Sequence, residues 1–277
     1  MILRVKFKKC GPVRFIGHLD VMRYFQKTIR RADIDVAYST GFSPHQIMSF
    51  AAPLSVGLES NGEYMDVQVN SLPLPEGKSF STDAITNEML ADTAPEIVVA
   101  GCKEIMDRFN RASVPGIEVL SVIVLPENAG NAMASVAAAS YTVTFRDGRE
   151  PECLKAAIFA ENPDKMNALI AAFLQSEQIL YAKETKKGTR EIDLRPGIYD
   201  FSWNHEKKSF FMTMDASSAG NIKPSQILDA LLITLDEPVR NGNSRLMENA
   251  LLVTREETFM DIGTEEERKL VPLHYFN

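Results

Sequence analysis

Residues 2–31 read "ILRVKFKKCGPVRFIGHLDVMRYFQKTIRR", and the change of period inside this stretch sets the fold class. From Ile2 to Lys9 the residues alternate: Leu3, Val5 and Phe7 fall on one side, Arg4, Lys6 and Lys8 on the other. That is the period of a half-buried strand, here with a basic face expected in solvent. Gly11-Pro12 ends it. From about residue 18 to 32 the apolar positions step by three or four, through Leu19, Met22, Phe25 or Gln26, Ile29 and Ala32, the stripe of an amphipathic helix. Arg23, Lys27 and Arg31 step by four on another face of this helix, with Arg30 beside them.

Further along, "YSTGFSPHQ" (38–46) reads as a loop broken by Gly41 and Pro44. "QIMSFAAPL" and "EYMDVQVN" read as strands joined by a turn at "ESNGE". A helix around 81–92 follows, with Ser81 or Thr82 as its N-cap, and then a strand at "PEIVVAGCKEI". "DRFNRASVPG" reads as a connector. The second half gives a strand at "VAAASYTVTF" and a helix at "DKMNALIAAFLQSEQ". Strands at "ILYAKETKK", "TREIDLRPGIYDFSW" and "SFFMTMDA" come next, then a helix at "KPSQILDALLITL" and a last strand at "NALLVTREETFM". The order predicts an α+β protein of two tandem ferredoxin-like (split βαβ) sandwich units with antiparallel sheets. The expected boundaries are 1–112, 113–262 and a short docking or flexible tail, 263–277.

Composition narrows the function classes. With 277 residues, 45% hydrophobic and 24% charged, the chain has the make-up of an ordinary globular protein. No apolar run reaches the ~20 residues a membrane span needs, and "MILRVKFKKCG" lacks the apolar core of a secretory signal, so a cytoplasmic location is expected. Three scattered cysteines, Cys10, Cys102 and Cys153, form neither a disulfide framework nor an iron–sulfur motif. Phosphate-loop motifs are absent, so no nucleotide cofactor is expected. The net charge of −7 is uneven: residues 1–50 carry nine Lys/Arg against three Asp/Glu, the remainder 21 against 34. A locally basic start on an acidic chain can focus anions.

Three kinds of site compete. His18, Asp20 and His45 are candidate acid–base groups or metal ligands. Yet H-x-D puts its two side chains roughly 200° apart on a helix, and Asp20 at a helix start also serves the helix dipole. No metal site is therefore expected. Ser43 and Cys10 lack the surroundings of a nucleophile. The third kind is an anion- or RNA-binding surface, for which Arg14, Arg23, Lys27, Arg30 and Arg31 are the candidates, and in the second half Arg190 and Arg195 around Asp193. A solvated charged face accounts for the same row, and an internal pair of Asp193 with an arginine accounts for the second group.

Residues 4–70 resemble the signature of the radical SAM-linked protein family. Its blocks R-F-x-G-H-L-D, R-R-A, Y-S-x-G-F-x-P-H, P-L-x-x-G and S-x-x-E-Y-x-D fall here at Arg14 to Asp20, Arg30 to Ala32, Tyr38 to His45, Pro53 to Gly57 and Ser60 to Asp66. Arg190 to Arg195 resembles a later block, and Gln46 stands where a second proline is expected. The resemblance implies a bacterial accessory chain encoded beside, or fused to, a radical SAM protein that often has a cobalamin-binding-like region. The neighbouring genes tend to be those for ribonuclease G and ribosomal proteins. It carries over no catalytic residues and no cofactor of this chain's own. The leading expectation is a non-catalytic partner of a radical SAM enzyme that recognises an RNA or ribosome-related substrate. The rival is an enzyme acting on RNA or a small anion through His18, Asp20 and His45; a regulatory or assembly module is a third reading, and it expects an exposed apolar patch.

Overall fold

The computed structural model describes residues 1–74, 79–81, 95–126, 129–185, 188–235, 249–264 and 267–275. It is a mixed α+β protein with a mostly antiparallel sheet and six α-helices among the described residues. Contacts divide the chain into two units, Met1–Ala137 with Glu257–Asn277, and Ala138–Glu256. These limits differ from boundaries at 112/113 and 262/263, because the segment after the first unit's second helix and the end of the chain both pair within the first unit.

In the first unit, β1 (Ile2–Lys9) leads through a 3-10 turn at Gly11–Phe15 to α1 (His18–Arg31). β2 (Met48–Phe50), β3 (Glu59–Gln68), β4 (Ser71–Pro73) and β5 (Ser79–Ser81) follow. The "ESNGE" stretch, expected as a turn, is the start of β3. Residues 82–92, where a helix is expected, lie outside the described residues. α2 (Pro95–Ala112) replaces the strand expected at "PEIVVAGCKEI", and β6 (Ile117–Val124) follows it. Cys102, Ile105 and Phe109 step by three and four along α2 and are buried. Burial of that stripe outweighs the strand preference of the β-branched run Ile97–Val99. Along this part of the sheet the order is β6–β1–β3 with β12 (Leu251–Asp261) next, and β13 (Leu270–Pro272) pairs with residues 259–261.

β1 is antiparallel to both its neighbours, β3 and β6. This pairing, with β2 antiparallel to β3, agrees with the antiparallel sheet expected. Phe7, Phe25, Phe50 and Phe109 form the aromatic centre of the core under α1 and α2, with Phe7 and Phe25 at 4.7 Å between ring centroids.

The second unit contains β7 (Ala138–Phe145), α4 (Glu152–Ile158), α5 (Asp164–Leu174), β8 (Leu180–Thr185), β9 (Gly188–Asp193), β10 (Ile198–Asn204), β11 (Ser209–Asp215) and α6 (Pro224–Leu235). Before it, α3 (Ala132–Ser135) closes the first unit, its N-cap Asn131 accepting from the Met133 amide. The sheet runs β10–β11–β7–β12, while β8 and β9 form a separate hairpin. Met166, Ile170 and Phe173 of α5 and Ile227, Leu228, Ala230, Leu231 and Leu232 of α6 share one core with Phe201, Trp203 and Phe210. Among the described residues, no helix is long and apolar enough to cross a membrane.

Candidate anion-binding face and a buried polar cluster

α1 starts at His18 and keeps Val21, Phe25, Thr28 and Ile29 inside. This turns Leu19 outward, where it is 59% exposed, in contrast to the expected stripe. Arg23, Lys27, Arg30 and Arg31 stand exposed on the opposite side. Asp20 in the first turn and Arg30 and Arg31 in the last both suit the helix dipole. Arg23 bonds Asp20 at 3.3 Å, Arg30 bonds the Gln26 carbonyl, and Arg31 bonds the Thr28 hydroxyl and the Ala112 carbonyl. Arg14 is drawn away from this row: its guanidinium lies over the Phe15 ring and pairs with Glu59, whose same oxygen accepts from the Gly11 amide.

His18, Asp20 and His45 are not brought together. The His18 ring packs edge-on to Phe50 at 5.1 Å. His45 Nδ1 is 2.8 Å from the Ser39 hydroxyl, and the Ser39 amide donates to the His45 carbonyl, so loop 38–45 closes on itself. Its base is tied to the middle of α1 by a hydrogen bond from the Gln46 amide group to the Gln26 carbonyl. Among the described residues no hydrogen bond or ion pair joins any two of the three, and no group of three His, Cys, Asp or Glu is placed to hold a metal. In the second unit Asp193 accepts from the Ile179 and Arg195 amides, and Arg195 donates to the Leu174 carbonyl. Arg190 sits exposed in the hairpin opposite Lys183. Among the described residues Arg195 is thus engaged with backbone, while Arg190 stands exposed on β9.

The basic face expected on β1 is covered. Arg4 is fully buried and pairs with Asp66 through two bonds, 2.8 and 2.9 Å; it also donates to the carbonyls of Leu273 and Gly130. The Ala132 amide completes Asp66. Beside it, Lys6 pairs with Glu257 at 2.5 Å. Tyr64 donates to Glu257 and lies 2.6 Å from His274 Nδ1, which stacks on its ring. Burial, reinforced by the Glu257 charge, holds the Tyr64 hydroxyl far above its usual range. Burial first, then the Lys6 charge, lowers the pKa of His274. Sequence alternation placed Arg4 and Lys6 on one face of β1, but expected that face in solvent. Nothing local signalled that Glu257, Leu273 and His274 close over that face.

The geometry defines a mixed α+β protein whose polar signature residues divide between an exposed basic helix and a buried network. The chain belongs to a bacterial family described as an uncharacterized protein conserved in bacteria (DUF2344), which matches residues 3–105 and 95–224. A comparison with curated proteins finds no match.

Proposed function

We propose that this chain is a cytoplasmic, non-catalytic partner of a radical SAM enzyme that helps recognise an RNA or ribosome-related substrate. The observation that carries the reading is the exposed row Arg23, Lys27, Arg30 and Arg31 on α1, whereas Arg4, Lys6 and Arg14 are engaged internally. Phosphates are held by such rows through charge and counterion release. Phe15, Leu19 and Val56 add exposed apolar surface near the start of the same helix, suited to contact with a protein partner. The separate contacts of His18, Asp20 and His45 favour this reading over an acid–base enzyme. The test is co-expression of the chain with the radical SAM protein encoded beside it. Co-purification, together with a change in that protein's turnover, is the expected result; two proteins that elute separately and turn over unchanged would overturn the proposal.

A further inference from the structure

Between the C-terminal turns of α1 and α2 lies an open cavity of about 710 Å³ whose polar lining includes Arg31, Arg108 and Arg111 together with Asp33 and Glu104. Two of the arginines serve helix ends: Arg31 donates to the Ala112 carbonyl at 3.2 Å, and Arg108 to the Asp33 carbonyl at 2.9 Å. Asp33 adopts a positive φ of 51°, and its carbonyl is the one Arg108 holds. Capping alone does not use these side chains up. A guanidinium has five N–H donors. Arg108 uses Nε on Glu104 and Nη1 on Asp33; Arg111 uses Nη2 on the same Glu104 oxygen; Arg31 uses Nη2. The other η nitrogens of all three have no partner among the described residues. Glu104 is one carboxylate shared by two guanidiniums, and the hydrogen bond from Arg108 is the main cause holding its pKa below the usual range. Arg111 is 66% exposed, so it is free to turn toward a ligand.

We infer that this cavity is a phosphate site for the backbone of a single-stranded RNA, extending the α1 row past Arg31 onto α2. The inference rests on the reading of the chain as an RNA-recognising partner. A phosphodiester offers two non-bridging oxygens to planar guanidinium forks, which suit phosphate better than a point charge does. Arg108 and Arg111 share one Glu104 oxygen, so a phosphate entering the cavity competes with that carboxylate for their guanidiniums. Glu104 is thus a competitor for the ligand, and its removal strengthens binding.

The test is fluorescence anisotropy of a labelled oligouridylate with the full chain at several salt concentrations, with far-UV circular dichroism to confirm folding. Arg111→Gln is expected to weaken binding roughly two- to fivefold, the weight of an exposed ion pair, and to lower the salt slope by about 0.7. Glu104→Gln is expected to tighten binding by a similar factor, a change of sign that a capping role does not give. If the wild-type chain binds no oligouridylate, the functional reading itself falls, and the site with it. If it binds and loses affinity on Lys27→Gln while Arg111→Gln and Glu104→Gln leave it unchanged, only the cavity assignment is overturned. Equal binding of oligoglutamate with the same dependence on Arg111 would overturn RNA as the ligand.

Discussion

Arg4 presents the sequence with a choice that only distant residues decide. Its position on an alternating strand fixes which face it occupies, but whether that face meets water depends on residues 130–132 and 273. A guanidinium fully out of solvent is held by its pair with Asp66 and two carbonyls. Asp66→Ala leaves that charge buried without its partner, and the expected loss is about 3–5 kcal/mol of unfolding free energy, read from urea denaturation. His274 gives a second residue-scale expectation. Its folded pKa lies below the unfolded value of 6.5, because burial and Lys6 disfavour the imidazolium. The unfolded chain therefore takes up the proton first. The stability contribution is complete above about pH 6.5 and is lost as pH falls through the lowered folded value. Facing His274 are Tyr64 of β3, Glu257 of β12 and Lys6 of β1. His274→Gln should flatten the stability profile below pH 6.5; a slope identical to wild type there would refute the assignment.

At the scale of elements, the period of a segment was a good guide where one face alone is buried, as in α1, α5 and β11. It failed where β-branched residues sit in a helix. "EIVVA" has the composition of a strand, and the stripe Cys102, Ile105, Phe109 that makes it α2 begins only at its end. Reading that segment as a strand also hid Arg108 and Arg111, which fell in the supposed connector. The turn from α2 into β6 depends on Gly116, whose φ of +97° favours glycine. A Cβ there would lie 2.6 Å from the Cys10 carbonyl oxygen and 2.9 Å from Val13 Cγ2. Gly116→Ala combines backbone strain of about 1–3 kcal/mol with a clash against backbone that cannot move cheaply. Gly148→Ala, at φ +70° with open space around it, isolates the strain alone. Thermal unfolding of the two variants should show the larger loss at Gly116; equal losses would mean that the β1–β6 connection yields more readily than its hydrogen bond from the Cys10 amide to the Gly116 carbonyl implies.

Across the whole molecule, the net charge of −7 repels polyanions on average, so any affinity for RNA must come from a local concentration of cations. The charge bias of residues 1–50 was legible in the sequence, but its placement was not. Arg4, Lys6 and Arg14 are engaged with Asp66, Glu257 and Glu59. The exposed cations of this segment are Arg23, Lys27, Arg30 and Arg31 of α1, and Arg108 and Arg111 of α2 line a cavity with Arg31. An interaction built on so few contacts is sensitive to salt in proportion to their number, with a slope of about 0.7 per phosphate on a single strand. Replacing Arg23, Lys27 and Arg30 together by glutamine should reduce the slope of log affinity against log salt by about 2. These side chains are exposed and carry no part of the core, so folding should be preserved. The comparison runs between about 50 and 200 mM salt, where counterion release separates three contacts from none. A variant that keeps the wild-type slope would make the α1 row a solvated face and move the search for a substrate surface elsewhere on the chain.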